Sequence, residues 1–146
     1  MNNKFFFEIL PSCIIILMPL FLISGPFLSD AGVSIVAIIF IINSLNNRLF
    51  KFYNNIFFKT FIIFCLILIL SSLMSNNVLI SLKNSFFYFR FGIFSLCFWY
   101  LLEKNKSLLT YLFFSIIVCF SSLIIDGYIQ YFYGKNLFGY ALYNQF

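Results

Sequence analysis

Few side chains in this chain are equipped for chemistry, and most of those lie in its second half. Arg90 sits in the run Phe86-Phe87-Tyr88-Phe89-Arg90-Phe91-Gly92, an isolated cation among aromatic residues. A guanidinium in such a setting either snorkels its charge to the membrane interface or takes a phosphate or carboxylate partner that matches its planar fork of donors. Asp126 and Gln130 are four residues apart, which puts both on one helical face, with Tyr133 a turn further on. Lys135 and Asn136 follow directly. The chain holds no histidine, so imidazole acid–base or metal chemistry has no donor within these residues. Cys13, Cys65, Cys97 and Cys119 all lie in apolar segments without C-x-x-C spacing, and read as small buried hydrophobes.

The elements that must position these groups follow from composition. Of 146 residues, 63% are hydrophobic and only 9% charged, with a mean hydropathy of +1.04. So few charges leave most of the exterior to lipid. A soluble enzyme, a nucleic-acid-binding domain, a disordered tail and a secreted disulfide scaffold are excluded; membrane lipids are the surrounding partners, and no nucleic acid is expected. Phenylalanine accounts for 24 residues, which reads as the codon bias of an A/T-rich genome in preference to an aromatic-lined cavity.

Five apolar runs approach the roughly 20 residues that cross the hydrocarbon. They cover about 9–28, 31–45, 56–74, 86–102 and 108–128. The fold expected is all-α: one polytopic transmembrane helix bundle of about five spans. A single helix over 9–42 would be roughly 51 Å long, too long for one crossing. Gly25-Pro26 signals a turn, and Ser29 or Asp30 is suited to cap the helix after it. Glu8, Pro11 and Pro26 argue against a cleaved secretory signal.

The hairpin sorts the basic residues. Lys4, Arg48, Lys51, Lys59, Lys104 and Lys106 fall on one side, and Lys83 and Lys135 on the other. The positive-inside rule then places the N-terminus in the cytoplasm and the C-terminus in the periplasm. Arg90 and Asp126 both belong to the outward half, so an ion pair between them is geometrically allowed. Gly134 is suited to cap the fifth helix.

The stretch 126–140, Asp-Gly-Tyr-Ile-Gln-Tyr-Phe-Tyr-Gly-Lys-Asn-Leu-Phe-Gly-Tyr, resembles the D-x-x-x-Q-x-x-x-G-x-(N/D)-x-x-G stretch of bacterial O-antigen ligase and polymerase-like membrane proteins. The 24–30 hairpin and Phe89-Arg90-Phe91 are similar to their N-terminal spans. The resemblance implies an inner-membrane, multi-pass glycosyltransferase of lipopolysaccharide biosynthesis. Such an enzyme moves a glycan from an undecaprenyl-diphosphate carrier to the lipid A core or to a growing chain, with no metal or nucleotide cofactor. Family members carry about a dozen spans and a large periplasmic loop with catalytic arginines and a histidine. On that comparison the chain is expected to be an inactive N-terminal fragment, with 129–146 leading outward toward a catalytic domain. Arg90, Asp126 and Gln130 are then supporting residues, with Lys135 and Asn136 in substrate binding. The rival expectation is a small non-catalytic membrane protein, either a helper subunit or half of a transporter.

Overall fold

A computed structural model describes residues 5–135. It contains α1 (Leu10–Ser24), α2 (Pro26–Asn47), α3 (Ile56–Leu73), α4 (Val78–Lys104) and α5 (Ser107–Tyr133). A π-helical turn, Phe5–Ile9, leads into α1, and a 3-10 turn, Phe50–Phe52, lies between α2 and α3. All five helices, α1 counted with its leading turn, are long and apolar enough to cross a membrane, so the all-α, five-span architecture expected from the apolar runs is the one observed.

The boundaries have local causes. Gly25 alone separates α1 from α2, at φ +133°, a conformation that L side chains rarely adopt. Pro26 then opens α2, where its missing N–H costs nothing. Ser29 and Asp30 therefore lie inside the first turns of α2, and neither serves as the cap expected of it. α2 ends on Arg48 in the left-handed region, φ 49°. Asn55 caps α3 by accepting from the Phe58 N–H at 2.7 Å. Gly134 closes α5 at φ 69°, donating its N–H to the Gln130 carbonyl, as its position suggested. α4 begins at Val78, eight residues before the apolar run at 86, because Lys83, Asn84 and Ser85 dilute the hydropathy without breaking the helix.

The helices lie side by side in the order α3, α4, α2, α1, α5, and α4 and α5 touch little beyond their shared turn. α2 and α4 form the centre: 44% and 39% of the residues in their most apolar windows are buried, against 11% in α1 and α5. Phe40, Leu96, Cys97 and Leu101 are almost wholly enclosed there. Apolar contact alone does not draw helices together in lipid, so close packing must do so. Single glycines supply it. Gly32 admits Phe21 and Ile14 of α1, and a Cβ at Gly92 would collide with the Phe61 ring of α3. Hydroxyls add to this where Ser72 of α3 and Ser85 of α4 share a hydrogen bond. Cys65, Cys97 and Cys119 are buried as expected, but Cys13 of α1 is exposed, bordering a depression shared with Leu101, Leu108 and Tyr111.

α2 and α4 run parallel in constant register, since Arg90 meets Asp30 and Tyr100 meets Phe40. The first two turns of α4 therefore project about 12 Å past the Gly25 turn. This end is called the hairpin end below. Arg48, Lys51, Lys59, Lys104 and Lys106 gather at the other, the basic end, where Lys51 pairs with Glu103 and Lys104 lies 3.9 Å from Glu8.

Candidate functional site

Arg90 is the best-defined polar group at the hairpin end. α4 carries it about one turn below Ser85, which is level with the end of α3. Asp30 and Ser34, four apart on α2, present a carboxylate and a hydroxyl on one face toward it. The Arg90 Nη2 lies 2.9 Å from Asp30 Oδ1, and Nη1 donates to Ser34 Oγ at 3.1 Å. Ser34 directs its own hydroxyl proton to the Asp30 carbonyl at 2.8 Å, which leaves its oxygen lone pairs for the guanidinium. The rings of Phe87 and Phe91 flank the cation at 5.5 and 5.1 Å. Nε is enclosed, with no hydrogen-bond partner among the described residues.

Of the settings open to Arg90, the bundle shows one with a carboxylate beside the guanidinium, and the carboxylate is Asp30 of the hairpin instead of Asp126. Two antiparallel connections bring α2 and α4 together, and only that adjacency makes Asp30 the nearer acid. Asp30 is missed as a partner in the sequence because an Asp shortly after Gly-Pro reads first as a helix cap, and Ser34 carries no signal of its own. The available signal was that Asp30 is one of only four acids in the chain.

An apolar groove of about 530 Å³ begins beside Asp30. It runs between α1 and α4, with Met18, Leu22 and Val33 on one side and Phe91, Phe94 and Phe98 on the other. Its size lies within the range of small-molecule pockets. Three of the 24 phenylalanines line this groove.

Asp126 and Gln130 lie near the same end. Ile23 of α1 and Leu123 of α5 border one depression, which puts Asp126 close to the level of the Gly25 turn and Gln130 a turn beyond. Both are half-buried, together with Ile129, on the inward stripe of α5. Lys135 is exposed just past the Gly134 cap. Asn136 lies outside the described residues.

Chemically, the groove presents the Asp30 carboxylate at its mouth, and Arg90, which pairs with that carboxylate, stands outside the groove lining. No family model, curated protein or solved structure matches this chain.

Proposed function

We infer that the chain is a membrane-embedded part, the N-terminal one, of an O-antigen ligase-like glycosyltransferase of the bacterial inner membrane, with its hairpin end on the periplasmic side. Its substrate class is then a glycan on undecaprenyl diphosphate, passed to the lipid A core or to a growing chain. The observation that supports this reading is the Arg90 guanidinium held by Asp30, whose carboxylate borders the Phe91/Phe94/Phe98 groove. Displacement at an anomeric carbon needs positive charge for the departing diphosphate and a base for the incoming hydroxyl. Arg90 would assist the diphosphate while the groove holds part of the polyprenyl tail. Asp126, with Gln130, would orient a sugar hydroxyl or a further arginine, and Lys135 and Asn136 would contact the glycan.

One observation favours a second reading, a non-catalytic helper subunit. Asp30 already neutralises Arg90, as expected of a tie that only holds two helices together. The two readings part in a binding experiment. The chain in lipid nanodiscs is offered polyprenyl diphosphate or the matching polyprenyl alcohol, and retention is read by native mass spectrometry. The transferase reading expects the diphosphate to be retained about tenfold better, a preference worth about 1.4 kcal/mol, and Arg90→Gln to abolish that preference. Equal retention of the two lipids by the wild-type chain would leave the helper reading. Full transfer by an Asp126→Asn variant of the complete enzyme would remove Asp126 from the candidates.

A further inference from the structure

The basic end carries a surface that the glycan-transfer reading does not use. Arg48, Lys51, Lys59, Lys104 and Lys106 are all exposed there, against the two acids Glu8 and Glu103. Arg48, Lys59 and Lys106 have no ion-pair partner among the described residues. The excess charge is not spread over a water-facing domain. It forms a collar directly bordering side chains that need hydrocarbon, since Phe50, Ile56, Trp99 and Leu109 are 59%, 85%, 41% and 57% exposed.

Beneath the collar lies an aromatic floor. Phe52 is buried edge-on against both Trp99 and Tyr100, at centroid distances of 6.0 and 5.6 Å. Lys51 stands 4.8 Å above Phe52, and Lys104 is 5.9 Å from Tyr100. Two lysines are therefore held over one aromatic cluster, each by a single carboxylate. Arg48 stands two residues before the 3-10 turn that delivers Lys51 and Phe52.

We propose that this collar is a binding surface for anionic phospholipid headgroups, with Arg48, Lys51 and Lys104 as its principal cations and Phe52, Trp99 and Tyr100 as its floor. Charge complementarity selects the headgroup, because five cations face two acids at the level where phosphates lie. The exposed apolar ring selects a lipid over a soluble anion, because the acyl chains cover it in the same act. Juxtamembrane basic clusters attract anionic lipids by this physics, and aromatic side chains hold the interfacial level. The proposal does not depend on which side of the membrane this end faces, nor on any transferase activity.

The test uses Trp99, the single tryptophan of the chain. The full chain is reconstituted into vesicles of phosphatidylcholine and phosphatidylglycerol in about a four-to-one ratio, with brominated acyl chains on one lipid at a time. Bromine quenches only a nearby indole, so the two series report which lipid resides beside Trp99. We expect phosphatidylglycerol to be enriched there by about threefold over its bulk share at low salt, and the enrichment to fall as salt screens the collar. The combined Arg48→Gln, Lys51→Gln and Lys104→Gln variant is expected to lose the enrichment, and Lys83→Gln at the hairpin end to keep it. Quenching by each lipid in simple proportion to its bulk share, at every salt concentration, would overturn the proposal. A salt-sensitive enrichment that survives the triple substitution would overturn its assignment to these cations. The salt series on the wild-type chain decides the matter even if the triple variant does not fold.

Discussion

Two ion pairs in this bundle have the same length and different surroundings. At the basic end, Lys51 and Glu103 meet at 2.9 Å with side chains 69% and 43% exposed. At the hairpin end, Arg90 and Asp30 also meet at 2.9 Å, but the Arg90 side chain is only 21% exposed. The first is a pair of point charges in reach of water, where screening and side-chain entropy cancel most of the attraction. The second uses two arms of a planar fork on two groups of the neighbouring helix, with aromatic rings on either side. Distance alone would rank them equal. Burial and valence make the first part of a surface and the second a joint between α2 and α4, the two helices that form the core.

The largest effect that would break this contrast is expected from Asp30→Ala. It leaves the Arg90 charge half-enclosed without its counter-ion, and should destabilise the bundle by roughly 1–2 kcal/mol, a value held down by Asp30's own exposure. The unfolding midpoint in SDS titration measures it. A loss no larger than that from Glu103→Ala would erase the distinction between the two ends. Arg90→Lys comes next, at about 1 kcal/mol, because an ammonium can reach Asp30 or Ser34 but does not reproduce the fork to both. Ser34→Ala should cost about 0.5–1 kcal/mol by removing one charge-assisted bond while the ion pair persists. If Ser34→Ala cost as much as Asp30→Ala, the joint would be a hydrogen-bond network and not an ion pair.

The spans were legible in the sequence, and the joint was not. Hydropathy marks each of the five helices because lipid imposes a length and a composition on whatever crosses it. The start of α4 was missed because Lys83, Asn84 and Ser85 are polar yet compatible with helix, so hydropathy and helicity part company there. The Gly134 cap could be read because a left-handed C-terminus has a strong residue preference. Asp30 was misassigned for a related reason: capping and ion pairing use the same short polar side chains, and only the neighbour decides between them. That neighbour follows from the helix order, to which Gly32 contributes by receiving α1 and Gly92 by receiving Phe61 of α3. Two isolated glycines form no G-x-x-x-G seam, so the order α3, α4, α2, α1, α5 has no one-dimensional signature. The grouping of Arg48, Lys51, Lys59, Lys104 and Lys106 at one end, in contrast, followed from the hairpin alone.

The smallest expected effect is also the sharpest test of the contrast. A double-mutant cycle on Lys51→Ala and Glu103→Ala should give a coupling of about 0–0.5 kcal/mol, falling toward zero as salt is raised. The parallel cycle on Arg90→Ala and Asp30→Ala should give a coupling at least about twice as large and little affected by salt, because that joint is enclosed by Phe87 and Phe91 and ions reach it poorly. Each cycle cancels the packing lost on truncating a long side chain, so the difference between them isolates electrostatics in two settings of one bundle. If both couplings fell equally with salt, water would reach Arg90 as freely as it reaches Lys51. The guanidinium would then be a snorkelling surface charge, and not a joint between α2 and α4.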